Sequence, residues 1–293
     1  YGMLMNAAPI QRIAVAYHPN LPEAAEEARA VAGFLRERGA EVLECASLYD
    51  PDLRCRLSPG SHDVLIAIGG DGTMLRAGRF CAGMGLPILG INAGHFGFLS
   101  EIPRDGWREQ LPLLLEGRYR LEQRLMLRCE HWRAGEQLAQ WDALNDVVVC
   151  RGQFVRPIQL QAYVDGYEMA SYVADGLIVA TPTGSTAYAL AVGGPILPPE
   201  VRNLLIIPVA PHLSVDRAIV LPEGVSISIR TYTSHEAVLS VDGHLPVPVL
   251  DGDEVRCTAG DRQVLFVRFQ DPSYFYRNLT RYMERNPSSR GGV

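Results

Sequence analysis

The first third of the chain alternates short apolar runs with longer, more polar stretches. Apolar runs predict strands at residues 13–17, 41–45, 64–68 and 87–91. The run at 64–68 is apolar throughout, as in a parallel strand that is buried on both faces. Two stretches between these runs, Pro22–Arg38 before Gly39 and Thr73–Cys81, have the composition of helices. This alternation predicts an open parallel sheet of the Rossmann-like kind.

After about Leu121 the pattern changes to strand-like runs that follow one another directly. These runs cover residues 147–149, 158–164, 177–180, 204–209, 218–221, 225–230, 238–241, 253–257 and 264–269. The pairs Asp165-Gly166, Asp242-Gly243 and Asp251-Gly252 fit tight hairpin turns between runs. We therefore predict an α/β domain over 10–120 and a mainly-β, β-sandwich-like domain over 121–270. A last helix within 271–285 is expected to return to the first domain.

Length and composition agree with two globular domains. The chain has 293 residues, of which 47% are hydrophobic and 20% are charged. Because the net charge is −6 and no block of basic residues occurs, the chain is not expected to bind nucleic acid. We find no signal peptide and no apolar run of about 18 residues, so we expect a soluble, cytoplasmic protein without a membrane partner.

The basic residues narrow the possible chemistry. All 27 are Arg, and the chain contains no Lys. A Walker-type phosphate loop, a Schiff-base enzyme and a protein kinase each need a Lys, so these classes are excluded. The His and Cys residues are dispersed without the spacing of a metal site, and no residue is assigned as a metal ligand. Phosphate chemistry in this chain must therefore use Arg, backbone amides and a metal ion.

The first chemical motif is Gly69-Gly70-Asp71-Gly72-Thr73, which follows the buried strand and opens a helix. It lies at the carboxyl edge of the predicted sheet, where open α/β folds bind ligands. Glycines let the backbone approach a phosphate closely, and a helix start offers unpaired N–H groups. Arg76 can add positive charge on this helix. Asp71 either caps the helix or serves as a metal ligand or a base.

This motif resembles the nucleotide motif that NAD kinases share with diacylglycerol and sphingosine kinases and with 6-phosphofructokinases. In that group the Asp is implicated in catalysis or in handling the metal and the phosphates. Because the motif alone defines only this broad group, a lipid or sugar kinase is an alternative interpretation.

A second motif, the string from Asp175 to Ile196, is far more specific. An acidic turn and an apolar strand lead into Thr181-Pro182-Thr183-Gly184-Ser185-Thr186-Ala187-Tyr188. Such a turn offers hydroxyl and backbone donors beside an aromatic ring, which suits a nucleotide, although Thr and Ser also make ordinary turns. The whole string resembles the signature of the NAD kinase family.

Three further stretches are similar to NAD kinase segments. Residues 92–99 follow an Asn-x-Gly-x-Leu-Gly-Phe-Leu pattern with Phe96 in place of Leu, and residues 240–244 resemble the family's Asp-Gly turn. Asn145 and Asp146 resemble an Asn-Glu pair. Because Asp is one methylene shorter than Glu, its carboxylate falls short by about 1.5 Å. A hydrogen bond to ribose then needs a backbone shift or a bridging water.

The resemblance, which runs from about Ile13 to Phe269, implies a role for each matched residue. Asp71 would be the general base for the ribose 2′-hydroxyl, with Gly72 at the substrate backbone and Arg76 facing phosphate. The other matched residues would bind substrate: Asn145 and Asp146 at the ribose or adenine, Arg156 as a basic contact, Asp175 at the nicotinamide end, Thr183 in the hydroxyl-rich turn, Thr186, Ala187 and Tyr188 along the adenine pocket, and Ala210 and His244 as further contacts.

The resemblance implies an NAD kinase, which transfers a phosphoryl group to the 2′-hydroxyl of the adenosine ribose of NAD and makes NADP. The implied donor is ATP or polyphosphate, and the implied cofactor is a divalent cation such as Mg²⁺. The family also implies a homodimer or homotetramer. A non-catalytic NAD-binding regulator is a further interpretation, which Asp146 and Phe96 leave open.

Overall fold

The structure, a computed structural model, describes residues 8–93, 97–212, 216–277 and 279. Its helices are α1 (Pro22–Glu37), α2 (Leu53–Arg56), α3 (Asp71–Ala82), α4 (Trp107–Leu115) and α5 (Tyr188–Ala191), and residues 274–277 are also helical. Its strands are β1 (Arg12–Tyr17), β2 (Glu41–Ser47), β3 (Val64–Gly69), β4 (Ile88–Asn92), β5 (Arg120–Arg133), β6 (Glu136–Ala143), β7 (Asp146–Arg151), β8 (Ile158–Val164), β9 (Tyr167–Ala174), β10 (Gly176–Ala180), β11 (Asn203–Val209), β12 (Ile219–Pro222), β13 (Ile227–Tyr232), β14 (Ala237–Val241), β15 (Val247–Val249) and β16 (Glu254–Arg268).

The chain forms two compact units. The first unit contains residues 1–123 and 264–293, and the second unit contains residues 124–263. The division falls inside the long strands β5 and β16. Each unit has its own buried hydrophobic core.

The first unit is built on parallel strands in the order β2-β1-β3-β4. The strands β3 and β4 are buried along their whole length, which explains their continuous apolar sequence. On α1, residues Ala24, Ala28, Val31 and Leu35 are buried, at the spacing of one helix face. Because the strands run in parallel, β1, β2 and β3 end at the same edge of the sheet. The predicted Rossmann-like sheet is confirmed, and the glycine-rich motif lies at its carboxyl edge.

The second unit is a sandwich of antiparallel strands. One sheet has the order β12-β11-β10-β7-β14-β15, and the facing strands include β9, β8, β13 and residues 254–257 of β16. Val149 and Leu177 from the first sheet and Leu160 and Ile229 from the facing strands are buried in one cluster. Two inner faces that share a core are the mark of a sandwich. The predicted β-sandwich-like domain is confirmed.

Some predicted strands and turns are wrong. The runs at 253–257 and 264–269 belong to one strand, β16, because its polar middle stays extended beside β5. The Asp251-Gly252 turn is not a hairpin, since it connects β15 of one sheet with β16 of the other. The sequence pattern does not predict the elements α2, α4, α5, β5, β6, β9 and β15. Pro112 inside α4 and the charged residues of β5 obscure their apolar periodicity.

The end of the chain is described only in part. The helix predicted within 271–285 is observed at 274–277 and 279, and its other residues from 278 onwards lie outside the described residues. Phe96 also lies outside them. None of the helices in the described part of the chain has the length and apolar character that crossing a membrane requires.

Candidate active site

The glycine-rich motif joins β3 to α3. The helix begins at Asp71 rather than at Thr73 as predicted, and Gly70 occupies its N-cap position. Gly69 is required by packing, because a Cβ there would lie 2.2 Å from the Thr73 hydroxyl oxygen. A Cβ at Gly70 or Gly72, in contrast, would meet no described protein atom within 4 Å. The protein therefore leaves open space at these two glycines, beside the N–H groups of a helix start.

Asp71 is not the N-cap residue, so the capping interpretation is wrong. Its carboxylate reaches the segment that follows β4. Oδ2 accepts the backbone N–H of Phe98 at 2.9 Å, and Oδ1 accepts that of Leu99 at 3.1 Å. Gly97 permits this approach, since a Cβ there would lie 2.0 Å from Oδ1. Two consecutive N–H donors bind both oxygens and fix the orientation of the carboxylate beside the open glycines.

Arg76 lies in the second turn of α3, on the same edge of the sheet. Its guanidinium carbon is 3.8 Å from the centroid of the Tyr49 ring, a cation–π contact. The Tyr49 ring meets the His18 ring edge to face, with centroids 5.4 Å apart. Because His18 follows β1 and Tyr49 follows β2, this stack holds the charge of Arg76 at the carboxyl edge. The contact of Arg76 with phosphate stays a prediction.

In the second unit, Asn145 and Asp146 lie in the turn that enters β7. Asp242 holds this turn, because its carboxylate accepts three consecutive backbone N–H groups. The donors are Leu144 at 2.8 Å, Asn145 at 2.7 Å and Asp146 at 3.1 Å. Asp146 is only 6% exposed. Burial, and then the charge of Asp242, raises the pKa of Asp146 to about 7, although the Tyr188 backbone N–H lowers it. This carboxyl therefore changes charge near neutral pH.

The hydroxyl-rich turn after β10 packs against Asn145. A Cβ at Gly184 would lie 2.0 Å from the Asn145 carbonyl oxygen, so this contact requires glycine. Three of the hydroxyl groups donate to nearby backbone carbonyls: Thr181 to Leu144 at 2.5 Å, Ser185 to Pro182 at 2.6 Å and Thr186 to Thr183 at 3.1 Å. Ser185 and Thr186 thus make bonds within the turn, whereas Thr181 ties the turn to the residue before Asn145.

Tyr188 lies between the two ends of β7. Its backbone N–H bonds to the carboxylate of Asp146, at the start of the strand. Burial raises the pKa of its phenol, and the nearby charges of Cys150 and Asp175, at the far end of β7, raise it further. Its side chain is nevertheless 44% exposed. Tyr188 is therefore partly accessible from solvent.

Asp175 and Ala210 meet at the far end of β7. Arg151 Nε lies 2.9 Å from Asp175 Oδ1, and the backbone N–H of Asp175 donates to the Val209 carbonyl at 3.0 Å. Ala210 comes next in the chain and has a φ of 46°, in the left-handed region. This conformation costs a non-glycine residue of the order of 1 kcal/mol, and such strain concentrates at binding sites.

Arg156 and His244 lie on exposed loops at opposite ends of the strand. The carbonyl oxygen of Arg156, in the loop after β7, is 3.1 Å from His235 Nε2. His244 follows the Asp242 turn and donates its backbone N–H to the Val241 carbonyl at 3.0 Å. The structure therefore places His244 at the Asp146 end and Arg156 at the Asp175 end.

Three supporting arginines were not predicted. Arg124, which is 5% exposed, donates to the Thr183 hydroxyl at 3.1 Å, and Arg151 forms the ion pair with Asp175. Arg268, which is 6% exposed, donates to the Leu99 carbonyl at 3.1 Å. Arg151 and Arg268 each interrupt or end an apolar strand sequence. A charge at a strand position that should be apolar is the signal that could have found them.

A parallel sheet with an open glycine-rich helix start, and a sandwich with a hydroxyl-rich turn, are features of a nucleotide-dependent phosphotransferase. The family model of the ATP-NAD kinase N-terminal domain matches residues 13–119, and that of the ATP-NAD kinase C-terminal domain matches residues 144–269. An NAD kinase of Chloroflexus aurantiacus is 35% identical over 277 residues, which cover 94% of this chain and 100% of the relative.

Two crystal structures are also similar. Yeast NADH kinase complexed with NADH has a TM-score of 0.83 and 26% identity, covering 97% of this chain and 91% of that chain. An NAD kinase from Archaeoglobus fulgidus in complex with ATP has a TM-score of 0.74 and 26% identity, covering 94% of this chain and 100% of that chain. The chain belongs to the NAD kinase family. It is thus an enzyme, a kinase, and the family function is the phosphorylation of NAD to NADP.

Proposed function

We propose that the Asp71 carboxylate takes the proton from the 2′-hydroxyl of the adenosine ribose of NAD while that oxygen attacks the γ-phosphoryl group of ATP. The observation that carries this role is the fixed orientation of the carboxylate, which Phe98 and Leu99 hold beside the open backbone at Gly70 and Gly72. A ribose hydroxyl is a weak nucleophile. A positioned base that accepts its proton contributes about 10²- to 10⁴-fold to the rate.

The donor phosphates bind at the start of α3. The open glycines leave room for them, and the helix start supplies N–H groups and the positive end of a dipole. Arg76 supplies positive charge at the same edge, in a chain that has no Lys. ATP as the donor is supported by the similar Archaeoglobus fulgidus enzyme, which is an NAD kinase in complex with ATP.

A divalent cation, most simply Mg²⁺, accompanies these phosphates. Mg²⁺ in kinases is held by one or two carboxylates together with substrate phosphates, so the chain needs to supply few ligands. Asp71 is the proposed base and is not assigned as a metal ligand, so the donor phosphates and water would supply the oxygen ligands of the cation. A cluster of three or more His, Cys, Asp or Glu side chains is not found among the described residues. The cation, when bound, neutralises charge on the donor phosphates.

NAD lies along β7 and β10 of the second unit. Its adenosine lies at the Asp146 end and its nicotinamide ribose at the Asp175 end. β7 has six residues, so its ends are about 17 Å apart at 3.4 Å per residue, a separation that suits a dinucleotide. The residues that contact NAD are Asn145, Asp146, Thr183, Thr186, Ala187, Tyr188 and His244 at the adenosine, and Arg156, Asp175 and Ala210 at the other end.

NADP formation by the purified chain tests the donor and the cation together. We expect NADP from NAD and ATP only when Mg²⁺ is present. EDTA should abolish the reaction, and added Mg²⁺ should restore it. An unchanged rate in EDTA would contradict the cation, and a faster rate with polyphosphate than with ATP would contradict the preferred donor.

Replacing Gly72 by Ala is expected to lower kcat/KM for ATP at least about 10-fold without loss of stability. The new methyl group enters the space proposed for phosphate but meets no described protein atom within 4 Å. Ala is also a better helix residue than Gly by about 1 kcal/mol, so the melting temperature should stay or rise. Steady-state kinetics and thermal melting check the two effects.

Gly33→Ala is the matched control for this variant. Gly33 also lies inside a helix, α1, and a Cβ there would also meet no described atom within 4 Å. This control should be stabilised and fully active. A Gly72→Ala variant with wild-type kinetics would place the phosphates elsewhere.

The family resemblance also leads us to propose a homodimer or homotetramer. The loop after β7 exposes Phe154 (62%) and Val155 (83%), next to Arg156, and paired apolar side chains of this kind are suited to a subunit contact. Light scattering of the purified chain measures the oligomeric state.

A further inference from the structure

A buried charge network lies behind the segment that holds Asp71. Arg268 is 6% exposed, and its partners Glu101 and Glu122 are 4% and 6% exposed. Arg268 Nη1 lies 3.2 Å from Glu101 Oε2, and its Nε lies 3.1 Å from Glu122 Oε1. Glu101 also accepts the backbone N–H of Phe269 at 2.9 Å. Arg120 adds a second positive charge, 3.3 Å from Glu122, so two arginines balance two carboxylates.

Leu99 connects this network to Asp71. Its backbone N–H donates to Asp71 Oδ1 at 3.1 Å, and its carbonyl oxygen accepts a bond from Arg268 Nη1, also at 3.1 Å. One residue therefore has the carboxylate on its amide side and the guanidinium on its carbonyl side. All of these groups belong to the first unit.

The residues that follow Leu99 are hydrogen-bonded to β4. The backbone N–H groups of Glu101 and Ile102 both donate to the Gly90 carbonyl at 3.0 Å. A Cβ at Gly90 would lie 3.0 Å from the Ser100 Cα, so the segment packs directly on the strand. Phe98 and Leu99, whose N–H groups bind Asp71, come just before this anchored stretch. Arg268 bonds to the Leu99 carbonyl and so holds Leu99 from its other side.

We infer that Arg268 is a positioning residue for the phosphoryl transfer, acting through Leu99 on the orientation of Asp71. This inference rests on the proposed role of Asp71 as the base. Without Arg268, the Leu99 carbonyl and two buried carboxylates lose a shared donor, and the segment shifts to find new partners. A displacement of about 1 Å at a reacting group lowers the rate by about 100-fold, while substrate contacts elsewhere are unaffected.

The first test is a kinetic comparison of Arg268→Gln and Arg268→Lys with the wild type. We expect kcat to fall about 10- to 100-fold in Arg268→Gln with KM for NAD and for ATP changed less than about 3-fold. Arg268→Lys should recover part of kcat, because an ammonium group keeps the charge but cannot span the three acceptors as a guanidinium does. If Arg268→Gln does not fold, the kinetics of Arg268→Lys still test the inference.

Arg12→Gln is the matched control in the same unit. Like Arg268, Arg12 bonds to a backbone carbonyl, Gly60 at 2.8 Å, but it bonds to a single carboxylate, Asp63 at 2.7 Å, and its side chain is 43% exposed. It has no described bond to the segment that holds Asp71. A loss of stability with unchanged kcat is expected for this variant.

The deciding experiment is a double-mutant cycle with Asp71→Asn, measured with ATP labelled at the γ-phosphorus so that low rates are detected. If Arg268 acts through Asp71, then Arg268→Gln causes no further loss of kcat in the Asp71→Asn background, although its effect on stability persists. Full kcat in folded Arg268→Gln and Arg268→Lys, or losses that multiply in the double variant, would overturn the inference. A fully active Asp71→Asn variant would overturn the base assignment itself. The Asp71→Asn single variant reports this outcome independently of Arg268.

Discussion

Replacing Asp71 by Asn is expected to lower kcat for NADP formation by about 10²- to 10⁴-fold, the range that general bases contribute. An amide cannot take the proton of the ribose hydroxyl. At present each oxygen of the carboxylate accepts one backbone N–H, from Phe98 or from Leu99. The amide of Asn keeps one of these bonds through its oxygen, and its NH₂ group then faces the other N–H. We therefore also expect a loss of about 1–3 kcal/mol of stability. Steady-state kinetics below the melting temperature separates the two effects.

Asp63→Asn is the matched control. Asp63 Oδ2 accepts the backbone N–H groups of Gln11 at 3.0 Å and Arg12 at 2.8 Å, so this carboxylate is also held by two consecutive amides of the first unit. It precedes β3, at the edge of the sheet opposite to the glycine-rich motif. Asp63 Oδ1 also pairs with Arg12 Nη2 at 2.7 Å, and Asn loses this ion pair, so a loss of stability with unchanged kcat is expected. Wild-type kcat in Asp71→Asn would show that another group takes the proton.

Replacing Asp146 by Asn is expected to stabilise the protein most strongly at high pH. On folding, burial and the charge of Asp242 raise the pKa of Asp146 from 3.8 to about 7. A carboxyl with a raised pKa contributes stability below about pH 4, and this contribution is lost as the pH rises through 7. A rise of about three units corresponds to about 4 kcal/mol at most. Asn has no charge to bury, so the variant avoids the free-energy cost of the ionised carboxylate. Its side-chain oxygen still accepts the Tyr188 backbone N–H.

Urea denaturation at pH 5 and pH 8 measures this effect. The gain in free energy of unfolding should be larger at pH 8. Asp165→Asn is the control, because Asp165 is exposed and its carboxylate accepts a single backbone N–H, from Ser226 at 2.8 Å. An equal gain for Asp146→Asn at both pH values would contradict the raised pKa. The more stable Asp146→Asn variant should have a KM for NAD about 10-fold higher, because it loses a charged hydrogen-bond acceptor for ribose.

Much of the first unit could be predicted from the sequence because its signals are local. The strands β3 and β4 are apolar throughout and buried on both faces, and the glycine-rich motif directly follows β3. The order strand, glycines and helix is enough to predict the position of the proposed phosphate site without any knowledge of distant contacts. The predicted tight turn at Asp165-Gly166 is also observed, although it leads into β9, a strand that the sequence pattern does not predict.

The arrangement of the side chains could not be predicted because it depends on contacts between distant residues. Asp71 binds the amides of Phe98 and Leu99, 27 and 28 positions along the chain. Asp242 holds the Asn145 turn across 97 positions. Glu122 of β5 lies in a buried ion pair with Arg268 of β16, so a charged residue occupies a buried strand position because a distant residue compensates its charge. Sequence periodicity contains no information on such pairings.

The phosphorylated position on the dinucleotide tests the central claim most directly. The purified chain is incubated with NAD, Mg²⁺ and ATP whose γ-phosphoryl oxygens carry ¹⁸O, and the product is isolated and examined by phosphorus NMR, in which ¹⁸O shifts the resonance of the phosphorus it is bonded to. The account expects the label in a phosphomonoester on the 2′-oxygen of the adenosine ribose. Label at any other oxygen of NAD, or label found only in inorganic phosphate, would contradict it.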